Sequence, residues 1–80
     1  MRVGEAVKLR ILELCRMHNI TLNKLSTISG ITQSTLNNIV SGRNSTTTVS
    51  TIQKICDGLK INILDFFASP LFENLEQEIK

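Results

Sequence analysis

The stretch TLNKLSTISGITQSTLNNIVSG, residues 21–42, decides the reading of this chain. Thr21 offers its hydroxyl to the backbone amides that follow, and Leu25 and Ile28 make a short apolar stripe at helical spacing. A helix is expected over about 21–29. Gly30 then tolerates the left-handed backbone that ends a helix sharply, Ile31 turns toward the core, and Thr32 is the next capping residue. A further helix is expected over 33–41, starting almost at once. Its inward positions are Leu36, Ile39 and Val40, which leaves Ser34, Asn37, Asn38 and Ser41 outward and Gln33 at the leading end. That outward face is almost wholly amide and hydroxyl.

Upstream, Val7, Ile11, Leu14 and Cys15 fall at helical spacing between Val3 and His18, with Lys8, Arg10, Glu13 and Arg16 expected mostly on the other side. Downstream, Gly42 closes the third helix, Arg43 to Thr47 form a polar loop, and Thr48 caps a helix whose stripe is Val49, Ile52, Ile55, Cys56 and Leu59. Gly58 inside that helix costs roughly 1 kcal/mol relative to Ala, which weakens its last turn. Asn62 caps a short helix from Ile63 to Ala68. Ser69 and Pro70 then read as a cap and first helical position for a short amphipathic tail with Leu71, Phe72, Leu75 and Ile79 on one side. No stretch alternates with period two. The fold class is all-α, with a helical body over 1–68 and an amphipathic, acidic tail over 69–80.

Composition narrows the function further. The chain has 80 residues, 41% of them apolar, so it makes one small domain with no room for a separate sensor. The net charge is only +2, but residues 1–62 carry eight basic against three acidic side chains and residues 63–80 one against four. No run approaches about 18 apolar residues, and Glu5, Lys8 and Arg10 interrupt the start, so neither a membrane span nor an export signal is expected. A cytoplasmic location follows as the expectation, with Cys15 and Cys56 as buried thiols of a reducing compartment. His18 is the lone histidine, and there is no GxSxG, HExxH or phosphate-loop spacing, so no enzyme is expected. Cys15, His18 and Cys56 fall short of a four-ligand metal site. Neither a cofactor nor a small-molecule ligand is expected.

A helix, a tight glycine turn and a second helix with a polar outer face is what reading duplex DNA requires. The second helix is narrow enough for the major groove, and its first turns present side chains to base edges. Asn and Gln pair a donor and an acceptor with adenine, and Ser and Thr contact several bases. Gln33, Ser34, Thr35, Asn37 and Asn38 are therefore the candidate base readers. Exposed helix faces usually carry Glu and Lys, and their lack here favours contact with DNA over plain solvation.

At these residues the chain resembles the Cro/CI-type (XRE-like) helix-turn-helix family of phage and bacterial regulators. Thr21, Leu25, Gly30, Ile31, Thr32, Leu36, Ile39 and Gly42 carry the resemblance, and TIQKICDGLKINILDFF, residues 51–67, is similar to that family's fourth and fifth helices. The resemblance spans about residues 3–67 and implies a five-helix, lambda-repressor-like domain. It places Thr32, Gln33, Ser34, Thr35 and Asn38 against an operator. Three departures stand out. Leu22 occupies the position where the family usually has a phosphate-touching Gln. Cys15 and Val40 stand where members often pair an Arg with a Glu, and the joint loss of both charges strands neither. Ser26 replaces the usual Ala.

Most affinity for a duplex comes from phosphates. The expected phosphate contacts are Thr21, Asn23, Lys24, Thr32, Ser41, Arg43 and Asn44, with the Ser45 to Thr48 hydroxyls and Arg10 adding to the surface. Lys8, Lys54 and Lys60 are expected to be solvated only. RNA reading by stacking wants exposed aromatics in the basic groove, whereas Phe66, Phe67 and Phe72 lie near the C-terminus. Phe66, Phe67, Leu71, Phe72, Leu75 and Ile79 offer more apolar surface than five short helices need, so two outcomes are open: a homodimer contact, or a sixth helix folded back on its own core. The reading is a sequence-specific regulator of double-stranded DNA, of repressor type. Its rival is a module of the same shape whose main contact is a protein partner, antitoxin-like or antirepressor-type.

Overall fold

Among the described residues, four of the five helices begin at a residue whose side chain closes the first turn. The computed structural model describes residues 1–42 and 47–79. Helix α1 spans Val3–Met17, α2 Leu22–Ser29, α3 Gln33–Val40, α4 Val49–Leu59 and α5 Ile63–Phe67, followed by a single 3-10 turn at Pro70–Phe72. Thr21, Thr32 and Thr48 accept from the amides of Lys24, Thr35 and Thr51 at 3.1, 3.2 and 3.1 Å. Asn62 and Asp65 close α5 reciprocally: Asn62 Oδ1 accepts the Asp65 amide at 2.8 Å and Asp65 Oδ2 accepts the Asn62 amide at 3.2 Å. Each cap satisfies amides that the helix itself leaves unpaired. There is no strand among the described residues.

The core is built from Ile11, Leu25, Leu36, Ile55, Cys56 and Phe66, all fully buried, with Leu14, Ile31, Ile39 and Ile52 around them. Cys15 and Cys56 are both free and buried, and burial raises both thiol pKa values. Cys15 lies in the core, and Val40 and Leu22 pack against it, so the three departures from charge or amide at these places are apolar fillings. Ser26 and Ser29 are buried but hydrogen-bond to Asn23 O and Leu25 O.

Gly58 has a use that its helix position conceals. A Cβ there would lie 2.8 Å from Ile28 O and 3.0 Å from Ser29 Oγ, so the glycine lets α4 approach the last turn of α2. The lost helix propensity is offset by packing, and α4 runs through Gly58 to Leu59. Lys60 ends the helix at φ 61° instead of a glycine.

Three expectations need correction. Val49 is 68% exposed: it opens α4 and points away from the core. Arg10 is buried, not on a DNA-facing surface. Its Nε donates to Phe66 O at 2.7 Å, its Nη2 to Asp65 O at 2.8 Å and its Nη1 to Glu13 Oε1 at 2.7 Å. Helix α5 is only five residues long; Ala68 N donates to Asp65 O at 3.3 Å and Ser69 N to Phe67 O at 2.9 Å, and the guanidinium fork supplies Phe66 O with a donor and Asp65 O with a second one. The tail is not an amphipathic helix. Ser69 does cap Leu71 N at 3.2 Å, but the turn stops after Phe72 and Asn74 takes φ 59°, a left-handed geometry that breaks helical continuation. The chain then doubles back, with Glu76 N donating to Met1 O at 3.0 Å and Arg2 pairing with Glu78 at 3.0 Å.

Candidate nucleic-acid interface

Gly30 sits at φ 68° and closes α2, while Ile31 N returns to Ser26 O at 3.2 Å and buries the Ile31 side chain. This anchors the turn, and Thr32 starts α3 two residues after the glycine. The anchoring residues Leu36 and Ile39 are buried, which fixes the roll of the helix. Gln33, Ser34, Thr35, Asn37 and Asn38 consequently all stand exposed on its outer side. Thr21, Asn23, Lys24, Thr32 and Ser41 are exposed as well. Arg43 and Asn44, with Ser45 and Thr46, lie outside the described residues.

The electrostatics of these elements are one-sided. Between Glu13 and Asp57 the chain has no Asp or Glu. Helices α2, α3 and α4 therefore begin with no acid in the first turn, unlike α1 with Glu5 and α5 with Asp65. Acids in a first turn normally complement the partial positive charge of a helix start. Their omission from three consecutive helices leaves those starts available to an outside anion. That pattern was legible in the sequence, as was the repeated spacing Thr32/Thr35 and Thr48/Thr51, which places a second hydroxyl 2.8 and 2.9 Å from each capping hydroxyl. Ser50, exposed in the first turn of α4, joins this set.

Of the expected dimer residues, Phe66 is fully buried and belongs to the core, because α5 is too short to bury anything else. Its ring meets Phe67 edge-on at 5.0 Å and Phe72 at 6.2 Å. Phe72, Leu71 and Leu75 are half-buried, Phe67 is 38% exposed and Ile79 86%. Leu64, which sequence reasoning passed over, is 77% exposed beside them. His18 is exposed, and no cluster of metal-ligating side chains occurs among the described residues. No helix of the described residues is long and apolar enough to cross a membrane.

A glycine-turned pair of helices with a polar second helix, inside five helices, defines a lambda-repressor-like helix-turn-helix fold. The chain matches the Cro/C1-type HTH DNA-binding domain over residues 10–69, and it belongs to that family. It is similar to the prophage Lp1 protein 11, whose crystal structure superposes with a TM-score of 0.78 at 39% identity, covering 88% of this chain and 93% of that one. No curated protein matches the chain.

Proposed function

We propose that the chain is a sequence-specific regulator of double-stranded DNA that acts as a repressor, occupying a pseudo-palindromic operator through α3. The observation that carries this reading is the exposed amide and hydroxyl face Gln33–Asn38, set among three threonine-capped, acid-free helix starts. In this reading Gln33, Ser34, Thr35, Asn37 and Asn38 read base edges, and Thr21, Asn23, Lys24 and the helix-start amides hold phosphates. Two copies pair through Phe67, Leu71, Leu75 and Ile79, supported by the accessible apolar surface of Phe67, Leu64 and Ile79. Pairing doubles the contacts and gives the operator its symmetry.

Selection of bound sites from a random duplex library, beside sedimentation of the free protein, tests the whole reading. The expected result is one preferred, two-fold-related sequence. Gln33→Ala or Asn38→Ala then costs roughly 1–3 kcal/mol on that sequence and blurs discrimination at one position. Selection of no sequence, together with a stable complex with another protein, would support the protein-contact role instead.

A further inference from the structure

Arg10 directs most of its donors at oxygen. Nε meets Phe66 O at 2.7 Å, Nη2 meets Asp65 O at 2.8 Å and Nη1 meets Glu13 Oε1 at 2.7 Å. A further contact is of another kind: Nη1 also faces Met17 Sδ at 3.9 Å, two helical turns along the same stripe of α1. A thioether is a weak acceptor, so a buried cation here turns one donor toward a poor partner. Met17 itself is 65% exposed at the end of α1, within reach of a solute.

We propose that Met17 is a site of reversible oxidation by a peroxide, and that its sulfoxide oxygen becomes a further acceptor for Arg10. With hydrogen peroxide, the sulfur lone pair takes one oxygen: the S–O bond forms as the O–O bond breaks, the thioether is oxidised to a sulfoxide, and the peroxide, reduced, leaves as water after a proton shift. An oxygen added on the side of the sulfur that faces the guanidinium lies well inside 3.9 Å, where charge-assisted bonds form. Within a core such a change disrupts packing. Met17 lies outside the core cluster, so the new dipole breaks no core contact and points at a cation instead. The same Arg10 holds two carbonyls of α5 and, through Glu13, Ser69 at the head of the 3-10 turn. Oxidation at the end of α1 therefore tightens the seat of α5, and a sulfoxide reductase loosens it again. The device does not depend on what α3 binds.

For the test, the full chain is treated with hydrogen peroxide, the site of oxygen addition is read by peptide mass spectrometry, and urea unfolding is followed before and after. Oxidised wild type should unfold at a higher urea midpoint, its unfolding constant lowered by about tenfold, the scale of one hydrogen bond to a charged group. Methionine sulfoxide reductases should return it to the starting value. Met17→Leu keeps Met1, which is 43% exposed, and both buried cysteines, so the same treatment of this variant measures every other oxidation, and no rise is expected there. Met17→Gln supplies a carbonyl oxygen without any oxidant and should unfold at a higher midpoint than Met17→Leu. In Arg10→Lys, which lacks the fork, most of the rise on oxidation should be gone. The proposal is overturned if Met1 takes up oxygen and Met17 does not, if the midpoint of oxidised wild type stays or falls, if Met17→Leu rises as much, or if Met17→Gln and Met17→Leu unfold alike. A full rise retained in Arg10→Lys would place the action of the sulfoxide elsewhere and end its assignment to Arg10.

Discussion

Arg10 is a cation with little access to water, 6% exposed, and its neighbours account for its burial. Two main-chain carbonyls and one carboxylate surround the guanidinium, and Ser69 Oγ donates to the same Glu13 oxygen at 3.4 Å. Arg10→Met keeps the length but leaves those acceptors facing an apolar side chain. The variant should lose about 2–4 kcal/mol in urea unfolding, since breaking a buried ionic cluster strands its partners. Arg10→Lys should recover only part, because a point charge cannot bridge two carbonyls as the fork does. A loss near zero for Arg10→Met would show that the cap on α5 is dispensable. The position was open to a sequence reading, since Ala6, Arg10 and Leu14 lie four apart on one stripe. A charge in that stripe looked like a surface residue because its partners, carbonyls 55 and 56 residues away, leave no mark in composition.

At the scale of elements, the helix starts were legible because Thr21, Thr32, Thr48 and Asn62 act through atoms three residues away. The outward set of α3 was legible for a similar reason: Leu36 and Ile39 fix its roll, and roll decides which side chains meet solvent. Gly58 was not legible as a packing residue, since propensity registers only its cost and the carbonyl it accommodates belongs to another helix. Gly58→Ala separates the two effects. Helix propensity alone predicts a gain of about 1 kcal/mol, whereas the 2.8 Å approach to Ile28 O predicts a net loss of about 1–3 kcal/mol from overpacking. Thermal unfolding decides by its sign, and a stabilised variant would mean that α2 and α4 slide apart freely. The tail shows the opposite failure. Its Ser-Pro start was real, but one left-handed residue at Asn74 redirected the chain, and apolar spacing at 71, 72, 75 and 79 carried no information about it.

For the whole molecule, the question is what holds the returning tail in place. The Arg2–Glu78 pair is exposed on both sides, a setting in which water and salt screen an ion pair to little net effect. Phe72 by contrast lies edge-on to Phe67 at 4.9 Å and packs against the core. Phe72→Ala should therefore cost about 2–3 kcal/mol, whereas Glu78→Gln should leave the urea midpoint essentially unchanged. Equal effects would mean that charge, not the aromatic cluster, secures the tail. The division of charge has a further consequence. Every carboxylate side chain belongs to α1, the last turn of α4, α5 or the tail, so none lies on α2, α3 or the start of α4. On the proposed reading, a polyanion approaching those elements meets no acid on them, so encounters from that side are repelled least. Association should then be fastest in dilute electrolyte and slow as added ions damp the attraction, while the lifetime of the docked state changes less, which stopped-flow mixing at two salt concentrations checks.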